Sequence, residues 1–127
     1  SMTGGYEATA TLLDGDMAPT AVFALSDEMA FGALMAFDER SFEPGVDVSV
    51  MGVDDHEFSR VVDLTTIHQP VADHGSVAAR MLIAAMTEIE RLAAIDGAAE
   101  DAAFVATEPF RPRLTLIERS TTGPPPS

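Results

Sequence analysis

The chain has 127 residues, 46% of them apolar, enough for one domain with its own core. Its 21 acids against 7 basic residues, all of them Arg, give a net charge of −14, which argues against binding to a nucleic-acid backbone by this chain itself, since that needs clustered cations. No apolar run is long enough to span a bilayer, and the absence of cysteine removes disulfide and thiolate chemistry.

Gly5 to Asp14 reads as a short helix, with Tyr6, Ala10 and Leu13 at helical spacing and Asp14-Gly15-Asp16 as its stop. The opening residues Ser1 to Gly5 hold no base and lead into no apolar region, so no signal peptide is expected. Thr20 to Leu25 is an apolar strand after Pro19. Ser26-Asp27 then forms a helix start. The Ser oxygen can accept from the free amides of the first turn, and Asp27 and Glu28 suit the positive end of the dipole. That helix runs to about Arg40 and carries Met29, Phe31, Ala33, Leu34 and Phe37.

Glu43-Pro44-Gly45 is a loop, and Asp47 to Gly52 a second buried strand. Asp54 to Arg60 is irregular or a single helical turn, and Thr65 to His68 is a third strand. Pro70 opens a long helix to about Leu92, with Val71, Ala78, Met81, Leu82, Ala85 and Ile89 facing inward. Residues 96–103 are rich in Ala, Gly and acids and read as a loop. Phe104 to Ala106 and Leu114 to Arg119 read as strands, joined by Pro109 to Pro112, and Gly123 to Ser127 is a Pro-rich, disordered tail. Strands separated by crossover helices predict an α/β fold with a mainly parallel sheet and helices on both faces. A freestanding domain of this kind begins on a strand, not a helix, so the set of elements looks incomplete.

Chemistry gathers at the strand ends, where open α/β sheets meet their ligands. Asp54-Asp55-His56 follows the second strand and offers two acids and an imidazole, as a hard-metal site or a general acid/base pair would require. The alternative is that one acid binds ligand hydroxyls or amides and the other caps a turn, since adjacent side chains point apart. Ser26 lacks the flanking glycines of a nucleophile elbow, so an N-cap, with or without ligand contact, is the better reading. Gln69, between a strand and a helix, can offer both donors and an acceptor to a ligand. His74 lies among polar residues and reads as exposed, and the methionines sit at core spacing.

Taken in order, SDEMAFGALMAFDER, DVSVMGVDD, DLTTIHQPVADHG and LTLIERSTT resemble the C-terminal part of the lactose-repressor/galactose-repressor (LacI-type) family of transcription regulators, from Gly5 to about Thr122. The resemblance implies a periplasmic-binding-protein-like (type I) sensor with a small effector in the cleft between two α/β subdomains. It implies a partial domain. Residues 1–122 would be the C-terminal part of the effector-binding domain and 123–127 its tail, with operator DNA met only through a DNA-binding head outside the chain. By the same resemblance Asp54, Ser26 and Gln69 are effector-binding, and Phe31 faces the partner subunit of a homodimer. Val53 stands where the family carries an aromatic residue, and Ser41 where it often has Gly. The implied protein is cytoplasmic, touches no membrane, needs no cofactor or metal and has no catalytic residue. Its effector would be a sugar or a related polyol or nucleoside. Two rivals share these residues: a periplasmic sugar-binding protein of a transporter, and a metal-dependent enzyme using Asp54 and Asp55.

Overall fold

The structure, a computed structural model, describes residues 1–15, 19–94 and 110–125. The elements run in the order α1 (Met2–Leu13), β1 (Ala21–Phe23), α2 (Asp27–Asp38), β2 (Ser49–Asp54), a 3₁₀ turn (Glu57–Arg60), β3 (Thr65–His68), α3 (Val71–Ala93) and β4 (Thr115–Ile117). Residues 1–69 and 114–127 form one compact unit and residues 70–113 another. The expected loop at 96–103 and strand at Phe104 to Ala106 lie outside the described residues.

In the first unit the four strands form one sheet in the order β1-β2-β3-β4. β1, β2 and β3 are parallel, with Phe23 opposite Met51 and Asp54 opposite His68, while β4 returns antiparallel with Ile67 opposite Leu116. The mainly parallel α/β sheet is thus present. The register carries the carboxyl ends of β1, β2 and β3 to a common edge, which is where Ser26, Asp54 and Gln69 follow their strands.

The core is built from Ala24, Ala30, Phe31, Ala33, Phe37, Val48, Val50 and Leu64. α2 is buried on more than one side because β2 lies against it and α1 crosses it. The crossing is close. A Cβ on Gly5 would collide with the Met29 carbonyl, and one on Gly32 with the Met2 carbonyl, so the two glycines let the helix backbones touch. α1 opens at Met2 rather than Gly5, because the Ser1 hydroxyl caps it by accepting from the Gly4 amide. Arg40 bonds Asp14 at 3.0 Å and the Tyr6 hydroxyl bonds Glu39, tying α1 to the C-terminal end of α2.

The closing segment belongs to the sheet's frame. The Thr121 hydroxyl accepts from the Thr65 amide and donates to the Val50 carbonyl, and the Thr121 carbonyl accepts from the Val50 amide. Gly123, expected in a loose tail, is held by its backbone to the Ser49 hydroxyl.

In the second unit α3 keeps its expected facing only at Met81 and Ala85. Val71, Leu82 and Ile89 are exposed, whereas His74, Val77, Met81 and Ala85 are partly covered. The helix carries apolar residues in neighbouring columns, so helical period alone does not choose between them. His74, expected in solvent, is half-buried with its ring edge-on to Phe110.

Candidate functional site

β2 is shifted two residues from its expected span: it passes through Gly52 and Val53 and ends on Asp54. There the backbone turns sharply, with φ of +121° at Asp54 and +54° at Asp55. Both values lie where side chains are disfavoured, and Asp54 is the more strained because Asp commonly enters only the left-handed helical region near Asp55's value. The turn throws the two carboxylates in different directions. Asp54 is exposed and accepts from the Gln69 side-chain amide at 3.3 Å. Asp55 turns back into the fold, bonding Arg119 at 3.0 Å and the His68 ring at 3.1 Å.

Of the residues singled out in the sequence, Asp54 and Gln69 are therefore in direct contact. Ser26 lies half-buried on the same edge, after the neighbouring strand, and its hydroxyl caps α2 by accepting from the Met29 amide at 3.3 Å. The divergence of Asp54 and Asp55 removes the paired-carboxylate geometry that a shared metal or an acid/base pair would need. Among the described residues no group of three metal-ligating side chains converges.

The Asp54 carboxyl is pushed above the ordinary Asp range, first by desolvation at the strand end, then by the charges of Asp27 and Glu28, with His56 acting the other way. An acid held there is ready to accept from hydroxyl groups, and a ligand that donates to it relieves the repulsion.

Asp27 sits in the first turn of α2, as expected, but does more there than the sequence suggested. Read as a first-turn acid for the helix dipole, it is 1% exposed. Its carboxylate accepts from the His56 amide at 2.8 Å, the Ser59 hydroxyl at 2.6 Å and the Thr66 hydroxyl at 2.5 Å. Gly52 makes the room for it, since a Cβ there would collide with the Asp27 carboxylate.

Phe31 is packed within the chain itself. Expected to face a partner subunit, it is 5% exposed, with its ring edge-on to Phe58 at 5.5 Å and to His56 at 5.8 Å. The 3₁₀ turn has folded over it. Phe31 forms the floor of an apolar groove of about 450 Å³, lined also by Met2, Leu34, Met35, Phe58 and Val62.

Residues 2–122 match the family model described as periplasmic binding protein-like domain. Over 120 residues the chain is 37% identical to the HTH-type transcriptional regulator GalS of Salmonella typhimurium, covering 93% of this chain and 31% of that one. Among solved structures it is similar to a LacI family transcriptional regulator from Enterococcus faecium with bound ribose, at TM-score 0.71 and 30% identity over 98% of this chain and 41% of that one. It is also similar to the lac repressor dimer bound to operator and the anti-inducer ONPF, at TM-score 0.75 and 29% identity over 98% and 39% of the two chains. The chain thus spans about a third of the length of that curated relative.

Proposed function

We propose, from the premise that this chain belongs to the periplasmic binding protein-like domain family in its LacI-type branch, that it is the ligand-sensing part of a bacterial transcription regulator. It acts by binding, without catalysis, in the cytoplasm where operator DNA is found, and residues 1–122 supply the C-terminal part of the effector-binding domain. The observation that carries this reading is the strained, exposed Asp54 with the Gln69 amide on it, at the edge where β1, β2 and β3 end.

The effector is a polyhydroxy molecule. Asp54 accepts from two neighbouring hydroxyls, and Gln69 supplies an amide donor and a carbonyl. Ser26, already engaged by the Met29 amide, can still donate its own hydroxyl proton. The ribose in the Enterococcus faecium relative makes ribose the first probe. The whole regulator meets operator DNA through a segment outside this acidic chain and works as a homodimer, as the lac repressor structure names for that protein.

Calorimetric titration of the full-length regulator with ribose and related sugars tests this. Asp54→Ala should weaken binding by about 1.5–3 kcal/mol, the worth of a hydrogen bond to a charged group, while leaving operator affinity intact. Because the Asp54 carboxyl is held above its ordinary range, affinity should already fall in mildly acid solution, as protonation removes the acceptor. An unchanged titration in the variant would show that Asp54 is not the effector acid.

A further inference from the structure

The amides of Asp55 and His56 follow the two residues with positive φ, and both trace to one group. The His56 amide donates to Asp27 Oδ2 at 2.8 Å. The Asp55 amide donates to Thr66 Oγ1 at 3.3 Å, and that hydroxyl donates in turn to Asp27 Oδ1 at 2.5 Å. The third bond, from Ser59 Oγ, holds the 3₁₀ turn that follows. Asp27, Ser59 and Thr66 are all buried, so no water replaces these partners.

We propose that Asp27 is the positioning residue of this site: its buried carboxylate fixes, directly at His56 and through Thr66 at Asp55, the strained turn that aims Asp54 at the open edge of the sheet. Its functional consequence rests on the reading of Asp54 as the effector acid, but the positioning itself does not. The role needs a carboxylate. With Asn at 27 the carboxamide oxygen would hold His56 only as a neutral acceptor, about half as strongly as the charged carboxylate, and the amide nitrogen would face Thr66. The Thr66 hydroxyl, already accepting from Asp55, would lose the acceptor for its own proton. Glu has no room beside Gly52, whose missing Cβ makes the space that Asp27 occupies. Asp27 also sets the charge that Asp54 feels. The other charged groups acting on Asp54 are Glu28, which raises its proton affinity, and His56, which lowers it.

The test is amide hydrogen exchange and carboxyl titration by NMR on the 127-residue chain in three variants. In Asp27→Asn the Asp55 and His56 amides should both exchange at least tenfold faster, and the Asp54 midpoint should move down toward the ordinary Asp range. In Thr66→Val only the Asp55 amide should speed up. Ser59→Ala removes a bond to the same carboxylate but should change neither amide nor the midpoint. This contrast decides the matter even if Asp27→Asn does not fold. Equal loosening of both amides in all three variants, or no change in a folded Asp27→Asn, would overturn the proposal. The amides responding while ribose titration of the full-length Asp27→Asn regulator stays unchanged would leave the positioning standing and remove the effector reading of Asp54.

Discussion

Asp54 is costly to the fold that carries it. A non-glycine residue at φ +121° costs on the order of 1–3 kcal/mol, and Asp54 also ionises against Asp27 and Glu28. A carboxyl whose proton affinity is raised on folding favours the folded state below its unfolded value, and that contribution is lost as pH rises through the raised folded value. Asp54→Gly should therefore stabilise the chain by about 1 kcal/mol in urea denaturation. The gain should be larger at neutral pH than in acid, and it should come with loss of effector binding. Destabilisation by this substitution would mean that the Gln69 contact outweighs the strain. The sequence made Asp54 and Gln69 legible because strand ends are read from apolar runs and turn residues. It hid Asp27, because an acid after Ser at a helix start has a sufficient local explanation. Only the three-dimensional meeting of α2, β3 and the 3₁₀ turn makes that acid a buried acceptor.

At the scale of elements the clearest case is the end of α2. The Ser41 amide donates to the Asp38 carbonyl and the Phe42 amide to the Phe37 carbonyl, Ser41 has φ +59°, and the Phe37 and Phe42 rings meet at 5.8 Å. These are the bonds and the apolar contact of a Schellman motif, whose left-handed residue is ordinarily glycine. Ser41→Gly should stabilise by roughly 0.5–1 kcal/mol, measured by the denaturation midpoint. The opposite change tests the helix crossing: Gly32→Ala forces a methyl group against the Met2 carbonyl and should destabilise by about 1–3 kcal/mol. A neutral Gly32→Ala would mean that α1 shifts at no cost. Among the described residues, helices and strands were legible to within a few residues, since periodicity and caps are local. The facing of α3 and the burial of both sides of α2 were not, because a helical wheel shows which residues are apolar but not how many neighbours will cover them.

For the whole molecule, surface that the chain leaves uncovered bears on association. β1 is an edge strand, with no described strand on its outer side, and Phe23 and Leu25 at this edge are 53% and 74% exposed. Beside the groove floored by Phe31, Met35 is 53% and Phe58 46% exposed. An apolar groove with apolar rims suits a twofold contact in which each copy offers the same patch, and a stable one buries about 800 Å² per partner. The homodimer of the proposed regulator would then be held by Met35 and Phe58, with Phe31 supporting them from within. A charged residue on a rim that must become dry is expelled, whereas one at an edge open to water is tolerated. Wild-type chain at tens of micromolar should therefore sediment as a dimer, and Met35→Asp with Phe58→Asp should give a folded monomer, checked by circular dichroism. Phe23→Asp, at the strand edge, should leave the dimer intact. A dimer broken by the edge substitution and untouched by the groove pair would place the contact at β1 instead, and a monomeric wild type would remove it from this chain.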